Sequence, residues 1–217
     1  MFSVKKFGKE LESWKYSWDE KNKIFRIDDR NLFDSCDLTL DFGGYNGVKF
    51  YTGFHCDFKT GDFCTFNTDD NCTFKTGSNC YFYTSEECIF DTGSHCTFET
   101  AYGCTFKTGS DCTFKTGENC YFKTGSNCIF KTEENCDFDT DSNCSFITGY
   151  SCKFETGKNC VITRKDVAGC IDIPFNEPII LNDYKISGYE KIKDLSGQVR
   201  MIEGREYMLQ LVRKNKD

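Results

Sequence analysis

Residues 104–127 read Cys104-Thr105-Phe106-Lys107-Thr108-Gly109-Ser110-Asp111, then Cys112-Thr113-Phe114-Lys115-Thr116-Gly117-Glu118-Asn119, then Cys120-Tyr121-Phe122-Lys123-Thr124-Gly125-Ser126-Asn127. The three lines are one octapeptide, C-x-F-x-T-G-x-N. Followed outward, a cysteine recurs at every eighth residue from Cys56 to Cys160, fourteen in phase, leaving only Cys36 and Cys170 outside. Phenylalanine stands two residues after each, from Phe58 to Phe154, with Ile162 closing the series; threonine follows two further on, from Thr60 to Thr156. A fixed short period is the signature of a repeat architecture.

Within a unit, Cys, Phe and Thr alternate with variable and often charged residues such as Glu99, Lys107 and Lys115. Alternation with period two describes a strand with one buried face, and Phe and Thr both favour strands. The remaining three residues read as a turn, with Gly expected to supply positive φ and Asn to tolerate the left-handed region. One such strand cannot bury its face alone, but stacked coils can, so the chain is expected to be all-β, a parallel β-solenoid.

The turns fall into two classes when taken alternately. Gly opens the turn at 61, 77, 93, 109, 125 and 157, with Asp141 the exception; the other set begins Asp69, Ser85, Ala101, Gly117, Glu133 and Gly149. Two kinds of corner imply a two-sided coil of 16 residues made of two octapeptides. A triangular coil of three octapeptides would mix the classes and ranks second. In-register coils should stack about 4.8 Å apart, giving an array roughly 34 Å long. The predicted interior includes Cys104, Phe106, Thr108, Cys112, Phe114, Thr116, Cys120 and Phe122, with Phe rings from the two faces meeting at the centre. Each buried ring contributes about 1.5–3 kcal/mol. Interior threonines are expected to pair with corner backbone or with one another. Proline is absent from the array, as in-register pairing requires.

The phase continues backward as Val48-Lys49-Phe50 and, before it, as Leu40 and Phe42, with Val48 and Leu40 standing at the cysteine position. That position therefore wants a small buried apolar group, which is how a free buried cysteine behaves.

Units such as C-T-F-K-T-G-S-D and C-Y-F-K-T-G-S-N resemble the octapeptide-repeat proteins predicted in tailed bacteriophages and other large viruses. The likeness extends more loosely to Tyr16-Ser17-Trp18-Asp19-Glu20-Lys21 and Leu181-Asn182-Asp183-Tyr184-Lys185-Ile186. Those proteins mostly lack an assigned function, so the resemblance implies a viral source and a solenoid, and no activity.

Residues 1–39 and 164–217 lack the repeat and read as caps around a solenoid at 40–163. Val4, Phe7, Leu11, Trp14 and Trp18 predict a short helix, followed by a hairpin through Asp19–Asn22 into Ile24–Ile27. The C-terminal part predicts strands at Ile171–Phe175, Tyr184–Ile186, Val199–Ile202 and Tyr207–Val212, with a turn near Glu203-Gly204: a small β cap or attachment module. Capping matters because open strand edges invite stacking between molecules, so an oligomer through the caps is a further expectation. The ending Arg213-Lys214-Asn215-Lys216 reads as a solvated tail rather than a nucleic-acid arm.

The 217 residues hold 16 Cys and 22 Phe with a formal net charge of −7. This aromatic content argues against disorder. No apolar run is long enough to span a bilayer, no secretory segment opens the chain, and a reducing cytoplasm with thiols rather than disulfides is expected. In-register parallel neighbours also fit a disulfide dihedral poorly. Neither close cysteine pairs with a second pair nor histidine pairs at zinc spacing occur, so no metal or cofactor is expected, and sequestration of a metal or small ligand ranks last. His55-Cys56 and His95-Cys96 put a base beside a thiol, but cysteines pointing inward and histidines in turns make no dyad. With no phosphate loop or hydrolase motif either, a non-enzyme is expected. Tyr81, Ile89 and the charged positions interrupt the outward threonines Thr65, Thr73, Thr97, Thr105 and Thr113, which rules out a flat ice-binding array.

Charge is uneven. Between Cys56 and Thr163 there are 16 acids and 8 lysines, and the Gly-poor corner carries Asp69, Asp70, Glu86, Glu87, Glu118, Glu133 and Glu134 with no lysine. One long edge is thus an acidic stripe, either a solvated edge that discourages aggregation or a docking edge for a basic protein. The expected function is a rigid viral scaffold or virion accessory; the alternative is a decoy that occupies a basic host protein. No membrane contact and no direct nucleic-acid binding are expected.

Overall fold

The structure is a computed structural model and describes residues 2–27, 37–175, 177–193, 197–202 and 205–208. Among these residues the chain is a two-sided β-solenoid. Strands Asp57–Thr60, Thr73–Lys75, Ile89–Asp91, Thr105–Lys107, Tyr121–Thr124, Asp137–Thr140 and Lys153–Thr156 lie side by side in a first sheet. The intervening strands, from Thr65–Asn67 to Val161–Arg164, form a second. Every pairing within the array is parallel and sixteen residues apart: Phe106 sits beside Phe90 and Phe122, and Phe114 beside Phe98 and Phe130. This register excludes the triangular coil.

The ladder also continues around the corners. Thr76 N–H donates to Asp91 O at 3.1 Å, Gly77 N–H to Gly61 O at 3.2 Å, and Asn79 N–H to Ser94 O at 3.0 Å. Backbone groups that an ordinary turn leaves to water are therefore paired coil to coil.

Phenylalanines fill the core as a herringbone. Along one sheet the rings stack, Phe106 on Phe122 at 4.8 Å and 3°. Across the core they meet edge to face, Phe106 on Phe114 at 5.2 Å and 76°. Both are geometries the ring quadrupole favours. The predicted interior is buried except Thr108, which is half-buried. Most interior threonines turn their hydroxyls to the next carbonyl, as Thr116 Oγ1 does to Gly117 O at 3.4 Å, and so bond the corner backbone. The buried hydroxyls of Thr52, Thr68 and Thr84 find no partner among the described residues.

Several expectations need correction. First, the glycines that open the turns do not adopt positive φ; Gly103 (69°) does so only because it stands directly before Cys104. The left-handed residue is the one before each cysteine, such as Asn79 (59°), Asn119 (57°) and Asn127 (60°). Glycine is needed for space: a β-carbon on Gly93 would lie 2.2 Å from Ser78 Oγ, and one on Gly77 1.9 Å from Asp62 Oδ1. These side chains bond the next coil, with Ser78 Oγ accepting Ser94 N–H at 3.0 Å. The Gly-rich corner is thus a column of short polar side chains threaded under glycines.

Second, Leu40 stands beside Phe58, and Leu38 occupies the position one coil before Cys56. The loop Gly43–Gly47 is two residues longer than the other corners and shifts the phase, whereas Val48 and Phe50 hold the expected columns. Parallel stacking also begins before residue 40, at Ile24–Ile27, where Phe25 pairs with Phe50.

Third, residues 2–18 contain no α-helix. Ser3–Lys6 and Lys9–Glu10 form a hairpin, and only a 3-10 turn, Ser13–Lys15, follows. Of the residues whose spacing suggested a helix, Val4, Leu11 and Trp18 pack on the end of the core, where Phe2 stacks on Phe42 at 4.3 Å beside Trp18, whereas Phe7 and Trp14 are exposed. The hairpin Tyr16–Asp19 to Ile24–Ile27 is present as expected.

Each end of the parallel stack is closed by antiparallel strands. Ser3–Lys6 covers Leu38–Phe42 and Tyr16–Asp19 covers Ile24–Ile27; at the other end Ile179–Leu181 covers Lys153–Thr156 and Cys170–Asp172 covers Val161–Arg164. A meander, Tyr189–Lys193, Gly197–Ile202 and Arg205–Met208, extends the first sheet. The expected strand at Tyr184–Ile186 is a turn, with Lys185 left-handed at φ 61°. Arg164 explains the turn. It takes the threonine column one coil after Thr148, buries its guanidinium, and donates to Asp166 and to the carbonyls of Asn182, Asp183 and Ile186. The Glu203-Gly204 turn, Leu209 to Val212, the basic ending and Cys36 lie outside the described residues.

Candidate interaction edge

The seven acids of the Gly-poor corner do form one edge. The residue two before each cysteine of the first sheet makes a column, and read coil by coil it runs Phe54, Asp70, Glu86, Tyr102, Glu118, Glu134, Tyr150. Asp69, Glu87 and Glu133 flank it and are exposed, whereas Asp70, Glu86, Glu118 and Glu134 are half-buried among their neighbours. Asp70 Oδ1 accepts Glu86 N–H at 3.2 Å, repeating on this corner the device that serine provides on the other.

Two tyrosines belong to the edge and were not singled out from sequence. Tyr102 is pushed above its ordinary value by its hydrogen bond to Glu86, and Tyr150 by the charge of Glu134, whose Oε1 lies 3.5 Å from its hydroxyl. Counting sixteen residues on from Glu86 and Glu134 would have found both. Asp69, although its side chain is exposed, is also raised, by partial loss of water around its carboxyl first and then by Asp70 beside it. The edge is therefore a self-repelling row partly relieved by phenols. The C-terminal cap supplies a lysine that the array lacks: Lys165 Nζ lies 2.6 Å from Glu133 Oε1.

The strand faces differ. There the acids find lysines one coil away, Asp139 with Lys123 at 2.8 Å and Asp137 with Lys153 at 3.4 Å, and Glu99 bonds Lys115. Charge on the faces is locally balanced; charge on the edge is not.

The interior uses its chemistry for structure. Each array thiol donates to corner carbonyls, as Cys104 does to Ser85 O at 3.5 Å and Tyr102 O at 3.6 Å. Cysteine is thus a valine-sized group that also satisfies a backbone acceptor, which the Val48 comparison alone did not reveal. Cys104 is pushed up to about 11, first by its bond with Cys120 and further by burial, so it stays protonated at neutral pH. The His–Cys neighbours do not meet: Cys96 faces inward to Ser94 O, while the exposed His95 turns to Asp111 at 3.8 Å and His55 to Asp37 at 3.3 Å. Among the described residues no group of three or more His, Cys, Asp or Glu is arranged to hold a metal ion, and no helix is long and apolar enough to cross a membrane. Comparison with protein-family models, curated proteins and solved structures finds no match for this chain.

Proposed function

We propose that this chain is a non-enzymatic interaction scaffold, a stiff column whose interior only holds it together and whose outside meets partners. The observation that carries this reading is the division of labour in the repeat. Cys, Phe and Thr are spent on packing and coil-to-coil bonds, and the chemical variety among units lies on outward positions. What supports a viral setting, as a virion accessory, is the likeness of the octapeptides. Mass spectrometry of purified virions from the source tests that setting, with abundance in the particle expected and absence counting against it.

A second reading has its own support. Apart from Glu133, which meets Lys165 of the cap, the edge acids have no lysine on their own corner, unlike Asp137 and Asp139 on the strand face, which suits capture of a basic protein and a decoy role. Replacing Glu86, Glu87, Glu133 and Glu134 with Gln should weaken retention of a basic protein from source lysate and flatten its salt dependence. Asp137→Asn with Asp139→Asn should change it less. If wild type retains no basic protein at low salt, the decoy reading falls and the scaffold reading stands alone.

A further inference from the structure

We propose that the amino-terminal end of the solenoid is a docking tip for an anionic lipid surface, carried by Phe7 and Trp14 and their lysines. The starting point is a residue in the wrong place. Lys6 pairs with Lys9, so the hairpin loop is the two residues Phe7 and Gly8, and both have positive φ, 49° and 76°, as a type I′ turn requires. Asn or Gly normally fills the first of these positions, because a bulky side chain is strained there. Here it holds a phenylalanine that is 78% exposed. The phenylalanines two residues after each array cysteine, from Phe58 to Phe154, are at most 3% exposed, so this chain has an ample use for buried rings. Among the described phenylalanines only Phe63, a corner residue at φ 60° and 60% exposed, shares the exposure and left-handed backbone of Phe7.

Trp14 repeats the pattern. It sits in the 3-10 turn Ser13–Lys15 that crosses from the first sheet to the second at the same end, and it is 73% exposed. The other tryptophan, Trp18, packs against Phe2 and Phe42. Both exposed rings carry a lysine against them, Lys6 Nζ 5.7 Å from the Phe7 centroid and Lys15 Nζ 5.2 Å from that of Trp14, with Lys9 adjacent in the hairpin. Lys5 pairs with Glu10 at 3.8 Å, and with Glu12 the tip holds four lysines against two acids.

The shape selects the occupant. The two rings stand exposed on separate turns, and neither lines a pocket formed by the described residues, so a protein partner would need two matching pockets. A bilayer interface takes each ring without shape matching, and its phosphates and carboxylates take the lysines. The acidic edge does not prevent this, because charges beyond about 8 Å are screened at physiological salt. Sequence alone pointed away from membranes because it lacks a spanning segment, and a surface contact needs none. The inference is independent of the scaffold reading.

The test uses the full chain with vesicles of phosphatidylcholine, either pure or with about 30% phosphatidylserine. Sedimentation with the anionic vesicles and a blue shift of Trp14 emission, read in a Trp18→Phe background, are expected. Phe7→Asn places the preferred residue in the turn, so its unfolding midpoint should not fall, while vesicle affinity should drop by about tenfold or more. Trp14→Ser should act likewise. The proposal is overturned if wild type fails to sediment with anionic vesicles, or if affinity survives both substitutions. It is equally overturned if Phe7→Asn lowers the unfolding midpoint, or if Phe7 instead governs a concentration-dependent dimer.

Discussion

Ser94 holds its hydroxyl where a β-carbon on Gly109 would have to be, 2.2 Å from that point, and with the same oxygen accepts the Ser110 N–H at 3.1 Å. The bond that ties one coil to the next thus excludes every side chain from the glycine beside it. Gly109→Ala should destabilise by about 1–3 kcal/mol, the cost of overpacking a rigid site. Gly117→Ala, on the corner where Ala101 already fills the same column, should cost about 0.5 kcal/mol. Urea midpoints of the two variants check this; equal losses would remove the steric account of the Gly-rich corner.

The herringbone predicts a second contrast. Phe106 touches two stacked and two edge-on rings, and neighbouring coils, bonded all round, cannot collapse into a void. Phe106→Ala should cost about 3–5 kcal/mol. Lys107→Ala should stay within about 0.5 kcal/mol, because its partner Asp91 lies 3.8 Å away on an exposed face. Denaturant titration of both variants decides it.

Thiol reactivity reports on the sealed interior. Among the described cysteines only Cys170, on the strand that closes the second sheet, is exposed. In a Cys36→Ser background, one thiol should react quickly with a disulfide reagent in native protein and fourteen more only after denaturation. Rapid modification of array cysteines without unfolding would contradict the packing described.

The C-terminal latch should respond to acid. Burial pushes Asp166 up, but the Arg164 guanidinium and the Lys185 N–H outweigh it and leave the carboxyl below its ordinary 3.8. A depressed folded value means that the stabilisation is complete above the unfolded value and is lost as pH falls through the folded one. Asp166→Asn should therefore cost about 3–5 kcal/mol at neutral pH, since it strips a buried guanidinium of its counter-charge. The gap from wild type should narrow below about pH 4. Melting curves across pH 2–7 test both the size and the direction.

The two-sided coil was legible because Cys, Phe and Thr recur without a gap and the two turn classes alternate. Period eight gives the strand, and the alternation of Gly with other residues gives the number of sides. The role of glycine was not legible, because the oxygen that excludes a β-carbon comes from a residue fifteen positions earlier and follows no local turn rule. Leu38 was missed for a similar reason: counting back sixteen residues from Cys56 assumes corners of equal length, and Gly43–Gly47 is longer. The caps break the period, so helix-like spacing at Val4, Phe7 and Leu11 outweighed the turn signal of Phe7-Gly8. The acidic edge is legible as a set of charges, whereas Tyr102 and Tyr150, as neutral phenols, add nothing to that charge pattern and show only in the sixteen-residue column they share with Glu86 and Glu134.

Deleting one coil tests the central claim, that the unit of this fold is two octapeptides, most directly. Removal of residues 104–119 takes out one whole coil and leaves each remaining strand in its own sheet and each corner in its own class. Removal of residues 104–111 moves everything after it to the opposite face. Gly-rich corners then stack on acidic ones, and the C-terminal cap meets the wrong sheet. Equilibrium urea unfolding of the two deletions is the measurement. The sixteen-residue deletion should unfold in one cooperative transition with a slightly smaller slope, since less surface is buried. The eight-residue deletion should lose that transition or shift it down by several kcal/mol, about what a disrupted core interface costs. Indistinguishable unfolding of the two would contradict the two-sided coil and the scaffold built upon it.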